Sequence, residues 1–171
     1  MATIIKNACS QSLLDFIMET SITREKWHWK FPNSASFNDK HPKLDIVEDG
    51  IMKDDFLAGI TSAILVQIWE LNDRKEFIPE IFYCGVSIKD KHRKDNIHVD
   101  DPNRDDTIKI MGILNFDWDV ETKGGGFMHG GVVYKLRPTD FCIFDPRVPH
   151  AADEITSDDK RFALDFSVKK T

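Results

Sequence analysis

The chain has 171 residues, a formal net charge of −6 and 41% hydrophobic residues, enough for one packed core and one domain. Its 12 Phe and 4 Trp argue against disorder, although 30% of the residues are charged. Asp plus Glu number 29 against 23 Lys plus Arg, a balance that disfavours a general nucleic-acid binder and leaves room only for a local basic patch.

Met1 to Ile17 carries one Lys and is interrupted by Asn7, Ser10, Gln11 and Asp15, so it does not read as a signal peptide. Within it, Leu13, Leu14, Ile17 and Met18 recur at helical spacing and predict a short amphipathic helix over Asn7 to Thr20. Lys26 to Phe31 alternates, with Trp27, Trp29 and Phe31 against His28 and Lys30, and predicts a strand. Pro32 to Asp49 is polar, contains Pro32 and Pro42, and reads as a loop. Asp54 or Asp55 caps a predicted helix running to about Leu71, its apolar face including Phe56, Ile60, Ile64 and Ile68. The most apolar stretch, Phe56 to Trp69, is too short to span a bilayer.

The second half changes character. Glu80 to Ile88, Thr107 to Leu114, Val132 to Leu136, Phe141 to Phe144 and Phe162 to Val168 are short apolar runs separated by Gly, Pro, Asp and Asn. Such a series predicts a mainly β jelly roll, with the N-terminal helices covering one sheet face. The expected organisation is one domain over 1–171, with 1–78 as helical and strand support and 79–171 as the catalytic core. Lys89 to Asn96 is charged and reads as a loop entering the next motif. Cys9, Cys84 and Cys142 are odd in number and show no CxxC spacing, which predicts free thiols in a soluble cytoplasmic protein.

The chemistry-bearing residues gather in this half. His98 and Asp100 are two apart, and on a strand residues i and i+2 face the same side. An imidazole and a carboxylate can then meet one metal ion. His150, after the turn Asp145-Pro146-Arg147-Val148-Pro149, is the best third ligand, with His129 and His92 as rivals. Two His and one carboxylate form the facial triad of non-haem Fe(II) oxygenases. Arg161, at the start of the last apolar run, has the planar fork that captures a carboxylate, as a 2-oxoglutarate-like ketoacid would require.

His98-Val99-Asp100-Asp101-Pro102-Asn103, followed by Ile113-Leu114-Asn115-Phe116-Asp117-Trp118-Asp119, resembles the prolyl 4-hydroxylase-like branch of the 2-oxoglutarate/Fe(II)-dependent dioxygenases. The oxygen-sensing prolyl hydroxylases and their bacterial and viral relatives are the nearest likeness, over roughly residues 80 to 168. Gly125-Gly126, Pro149-His150 and Lys160-Arg161-Phe162-Ala163-Leu164 fit the same pattern. The resemblance implies a double-stranded β-helix (jelly roll, cupin-like) core. It implies Fe(II) on His98, Asp100 and His150, dioxygen as oxidant, and 2-oxoglutarate paired with Arg161, with ascorbate as an in vitro addition. Tyr83 matches a tyrosine that lines the cosubstrate pocket. One departure is clear: the family tyrosine that hydrogen-bonds the distal carboxylate is Ile113 here, so either Arg161 and another donor, for which Lys109 is a candidate, suffice or cosubstrate affinity is reduced. In related halogenases chloride replaces the carboxylate ligand, so Asp100 implies hydroxylation.

The implied activity is hydroxylation of a prolyl residue in a peptide or protein, with release of succinate and carbon dioxide. A free amino acid or other small molecule is the alternative substrate. Nucleic-acid demethylation, disfavoured by the acidic balance and by the lack of a second Arg soon after Arg161, is a rival, as is a catalytically inactive jelly-roll binding module. No membrane partner is expected. Trp118 reads equally as a rim residue facing substrate or as core. His129 reads as a hairpin residue that could face substrate, and Arg147 as a substrate contact or a solvated turn residue. His28 and His41 read as structural or surface residues.

Overall fold

Short apolar runs broken by turn residues fold as their period dictates, into antiparallel strands. The computed structural model describes residues 1–30, 41–93, 95–100 and 104–171. In chain order the elements are β1 (Thr3–Ile5), α1 (Gln11–Ile22), β2 (His28–Lys30), β3 (His41–Glu48), β4 (Ile51–Met52), α2 (Asp55–Leu71), β5 (Phe77–Lys89), β6 (Thr107–Ile113), α3 (Val120–Lys123), β7 (Phe127–His129), β8 (Val132–Tyr134), β9 (Phe141–Phe144), β10 (His150–Ala152) and β11 (Arg161–Lys170). Among the described residues a large antiparallel sheet runs β1-β9-β6-β11-β5-β3-β2, with β4 on β3, and a small sheet runs β10-β7-β8. This is the jelly roll expected from the strand-rich half.

The helices start where side chains satisfy their first free N–H groups. Ser10 accepts from Leu13 N and Asp54 accepts from Leu57 N. Both helices cover the outer face of the large sheet, where Leu14, Ile17, Ile64 and Ile68 pack with Val86, Ile110, Leu164 and Phe166. Period-two alternation sends the intervening residues to the inner face. There the register sets Lys43 beside Ser87, Asp165 beside Gly85 and Met111, and Arg161 beside Lys89. The inner face is therefore divided. Its β3–β5–β11 side is polar, while Met111, Ile113, Cys142 and Phe144 on β6 and β9 form an apolar cluster with Phe127 of the small sheet.

Two expectations are corrected. His41–Glu48 is a strand and not part of a loop: Leu44, Ile46 and Val47 are buried, while Lys43 and Asp45 point to the polar inner side, so charge hid the alternation. Residues 32–40 of that expected loop, and Phe31, lie outside the described residues. The buried face of α2 is Leu57, Ala58, Thr61, Ile64, Leu65 and Ile68, whereas Phe56 is 53% exposed and stacks edge-on against Phe16. Before residue 79, β1 pairs with β9 and β3 with β5 inside the main sheet. Cys9, Cys84 and Cys142 are free and buried. No helix among the described residues is long and apolar enough to cross a membrane.

Gly85 makes room for one of these arrangements. A Cβ there would stand 1.9 Å from the Tyr83 hydroxyl and 2.9 Å from the Leu44 carbonyl oxygen. Gly85→Ala is therefore expected to destabilise the fold by about 1–3 kcal/mol, the usual cost of overpacking. Urea denaturation of the two proteins measures it, and an unchanged midpoint would show that the Tyr83 ring is free to move aside.

Candidate metal centre

His98 and His150 meet through the main chain. His98 N donates to His150 O at 3.0 Å and His150 N donates to His98 O at 2.9 Å, an isolated antiparallel bridge. Directly opposed residues project to the same side, and the two ring centroids are 4.6 Å apart. Asp100 N donates to the Pro146 carbonyl at 2.9 Å, so the Asp145–Pro149 turn positions the third residue as well. Asp100 sits in a bend and not in a continuous strand. The turn that follows β9 thus does what strand alternation was expected to do.

The rings are aimed by their other nitrogens. His98 Nδ1 donates to Asn96 O at 2.7 Å and His150 Nδ1 donates to Val148 O at 2.9 Å. With Nδ1 protonated, Nε2 of each ring carries the lone pair, as a metal ligand requires. Asp100 carboxylate oxygens lie 3.6 Å from His98 Nε2 and 3.3 Å from His150 Nε2. The three donor atoms all fall within 4.8 Å of one another. Bonds of about 2.0–2.2 Å to a shared ion would set neighbouring donors roughly 3 Å apart, so small adjustments suffice. Two imidazoles and one carboxylate fit a first-row divalent ion with open positions. His150 is 4% exposed and lies against Phe144 and Phe127, whereas the His98 and Asp100 side chains keep 27% and 29% of their exposure and face the opening.

Burial alone would raise the Asp100 pKa, but the Lys109 charge and its hydrogen bond oppose this and hold the carboxyl well below the usual range. Asp100 is therefore ionised throughout the physiological range, ready as a ligand. Lys109, expected near a distal carboxylate, instead donates to Asp100 Oδ2.

Arg161 opens β11 and is 1% exposed. Its Nη1 donates to Gly125 O, while Nε and Nη2 have no hydrogen-bond partner. Burial first, then the Arg93 charge, pull its pKa down to about 10, which still leaves it cationic at neutral pH. A buried cation with two unused donors is costly unless an anion reaches it, so these atoms suit a carboxylate. Gly125 has φ +77°, and a Cβ there would stand 2.8 Å from Arg161 Nη1, so the close approach requires glycine.

The remaining candidates fall as follows. Tyr83 lies on the inner face, its hydroxyl donating to Asp45 Oδ1 at 3.0 Å and its ring under Lys43 Nζ at 4.2 Å. Burial and Asp45 raise its pKa, so it stays a neutral phenol. Trp118 takes the core alternative and not the rim: it is 2% exposed and its Nε1 donates to Gly124 O at 3.1 Å. His129 closes the β7–β8 hairpin at Gly130 and Gly131, is 3% exposed, and spends Nε2 on the Asp145 carbonyl at 3.1 Å. That bond takes it out of the donor set. His92 is exposed and also apart from it. Arg147 forms a two-pronged pair with Asp145, Nε to Oδ1 at 3.0 Å and Nη2 to Oδ2 at 2.7 Å, which stiffens the turn. Asp101, Pro102 and Asn103 lie outside the described residues.

Sequence reasoning missed Asp95 and Asp165. Asp95 accepts from Ala152 N at 2.7 Å and lies 3.7 Å from His98 Nδ1, tying the charged loop to β10. Asp165 is half-buried on the inner face, accepts from Ser87 at 3.2 Å, and is kept ionised by Lys89, Lys43 and Lys109 against the cost of desolvation. The only signal for Asp165 was a charge inside an apolar run.

No protein-family model matches the sequence, and no curated protein matches it. Solved structures do. A prolyl hydroxylase from Trichoplax adhaerens, in complex with a hypoxia inducible factor oxygen degradation domain peptide fragment, aligns with TM-score 0.71 and 16% identity over 98% of this chain and 83% of that one. An oxidoreductase of the 2OG-Fe(II) oxygenase family from Burkholderia pseudomallei aligns with TM-score 0.73 and 14% identity over 98% of this chain and 84% of that one. SnoN, a non-heme alpha ketoglutarate dependent epimerase from nogalamycin biosynthesis, aligns with TM-score 0.69 and 11% identity over 98% and 78%. The chain has the fold that these proteins share.

The geometry predicts one first-row divalent ion per chain. Calorimetric titration with Mn(II) under inert gas should show a single site, and His150→Ala should weaken it by more than the roughly 10–100-fold that outer-shell changes cost. Equal affinity in the two proteins would remove His150 from the ligand set.

Proposed function

We propose that this chain is an Fe(II)- and 2-oxoglutarate-dependent dioxygenase that hydroxylates a prolyl residue of a peptide or protein. The observation that carries the reading is the convergence of His98, Asp100 and His150, with both imidazole Nδ1 atoms tied to backbone carbonyls. The buried, under-bonded Arg161 supports a dicarboxylate cosubstrate.

In this reading His98, Asp100 and His150 would hold the ion and leave room for cosubstrate and dioxygen. The ion and its 2-oxo acid, when bound, supply an oxidation that consumes dioxygen, releases succinate and carbon dioxide, and turns a substrate C–H into C–OH. The chain contributes placement and polarity. Lys109 holds one Asp100 oxygen and so favours single-oxygen ligation by the other. Arg161 takes the distal carboxylate. Phe127, Phe144, Met111 and Ile113 wall the site with apolar surface and exclude water from the reacting centre. Substrate approaches from the side on which His98 and Asp100 remain accessible.

The prolyl assignment rests on the sequence motifs and on the fold shared with prolyl hydroxylases. A small-molecule substrate is the second reading, favoured by likeness to the epimerase SnoN and the carbocyclase SnoK of nogalamycin biosynthesis.

Fe(II)-loaded protein should convert 2-oxoglutarate to succinate, and Asp100→Ala should lose at least about 100-fold of that rate, the scale of a lost catalytic interaction, while keeping its circular dichroism. Mass spectrometry of proline-containing peptides and of free proline, incubated side by side, then reads which one gains an oxygen atom. Unchanged succinate formation in Asp100→Ala would overturn the ligand assignment, and oxidation of free proline alone would replace the peptide reading with the small-molecule one.

A further inference from the structure

Arg161 does not stand alone in its cavity. Lys89, the last residue of β5, is its direct cross-strand partner, so both side chains project from the same face of the sheet. The two residues line one cavity with Asp90, Asp95, Asp153 and Ile155. Two cations directly opposed across a strand pair repel each other, Arg93 adds a third positive charge nearby, and the Asp165 and Asp95 carboxylates offset part of it.

The carboxylates in the cavity wall are engaged elsewhere. Asp95 accepts from Ala152 N at 2.7 Å and pairs with Arg93 at 3.4 Å. Asp90 accepts from His92 N at 2.9 Å, and Asp153 accepts from Glu154 N at 2.9 Å. Arg161 Nε and Nη2 have no partner, and Lys89 Nζ makes no hydrogen bond or ion pair among the described residues. The cavity therefore presents unused donors from two cations. Meanwhile Ile113, on β6 beside Ala163, is 1% exposed in the apolar cluster and offers only methyl groups.

We propose that Lys89 and Arg161 together form the seat of the distal carboxylate of the 2-oxo acid, Lys89 supplying the donor that Ile113 cannot. The assignment rests on the dioxygenase reading above. A carboxylate between the two cations would relieve their repulsion and satisfy the orphaned guanidinium donors at once. Burial and the Arg93 charge draw the Lys89 pKa down to about 7, and a bound anion would return the ammonium to its charged form. Lys109 is excluded from this role because it is committed to Asp100.

The test compares two ligands on Mn(II)-loaded protein by calorimetry under inert gas: 2-oxoglutarate, and 2-oxobutyrate, which has the same 2-oxo acid head and no distal carboxylate. Lys89→Met should weaken 2-oxoglutarate by about 10- to 100-fold, the loss of one charge-assisted hydrogen bond, and leave 2-oxobutyrate unchanged. Lys89→Arg should restore most of the affinity, which separates loss of the donor from a folding defect. Undiminished 2-oxoglutarate binding in Lys89→Met would overturn the proposal and leave the dioxygenase reading standing. Equal weakening of both ligands would also overturn it, by showing that Lys89 shapes the chamber as a whole. If the wild-type chain binds the metal but neither 2-oxo acid, the dioxygenase reading falls, and this seat falls with it.

Discussion

Two reciprocal main-chain hydrogen bonds between His98 and His150 are the constraint on which the site depends. They join a loop following β5 to the first residue of β10, and they hold the two imidazoles on one side of the chain. Side-chain bonds alone could not do this, because a free imidazole rotates about two torsions. Here each ring is also held at Nδ1 by a carbonyl two residues away. The backbone thereby orients the donors before any ion arrives, and pre-organisation of this kind lowers the ordering cost of binding.

The Asp145–Pro149 turn is the second anchor. It gives the Pro146 carbonyl to Asp100 N, the Val148 carbonyl to His150 Nδ1 and the Asp145 carbonyl to His129 Nε2. Arg147 and Lys170 neutralise the Asp145 carboxylate at its head. The same turn that fixes the three donor residues therefore occupies His129 Nε2. A histidine buried among Phe127, Phe144 and His150 serves the packing beneath the centre.

The inner face combines two environments that a single strand pattern rarely suggests. On β6 and β9 it is apolar. On β3, β5 and β11 it is charged, with Asp165 enclosed by lysines and Arg161 left short of partners. Burying so many charges is costly, a cost that the proposed seat for a small anion beside a metal ion would offset. A core built for stability alone would have placed aliphatic residues at these alternating positions.

Much of this was legible in the residues themselves. Asp54 marked a helix start, turn clusters separated the strands, and His98-x-Asp100 with His150 named three donors that the fold brings together, because local periodicity and ligand type are properties of the chain. β3 was not legible, since Lys43 and Asp45 look like solvent-facing residues until a sheet closes over them. The roles of Lys109 and Lys89 were equally hidden: one lysine reaches Asp100 and the other faces Arg161 only through the register of β5, β6 and β11. Sequence by itself determined which groups are present and which turn residues precede them. The tertiary structure alone decided which donors converge and which cations go unpaired, because both depend on strand register and burial between residues far apart in the chain.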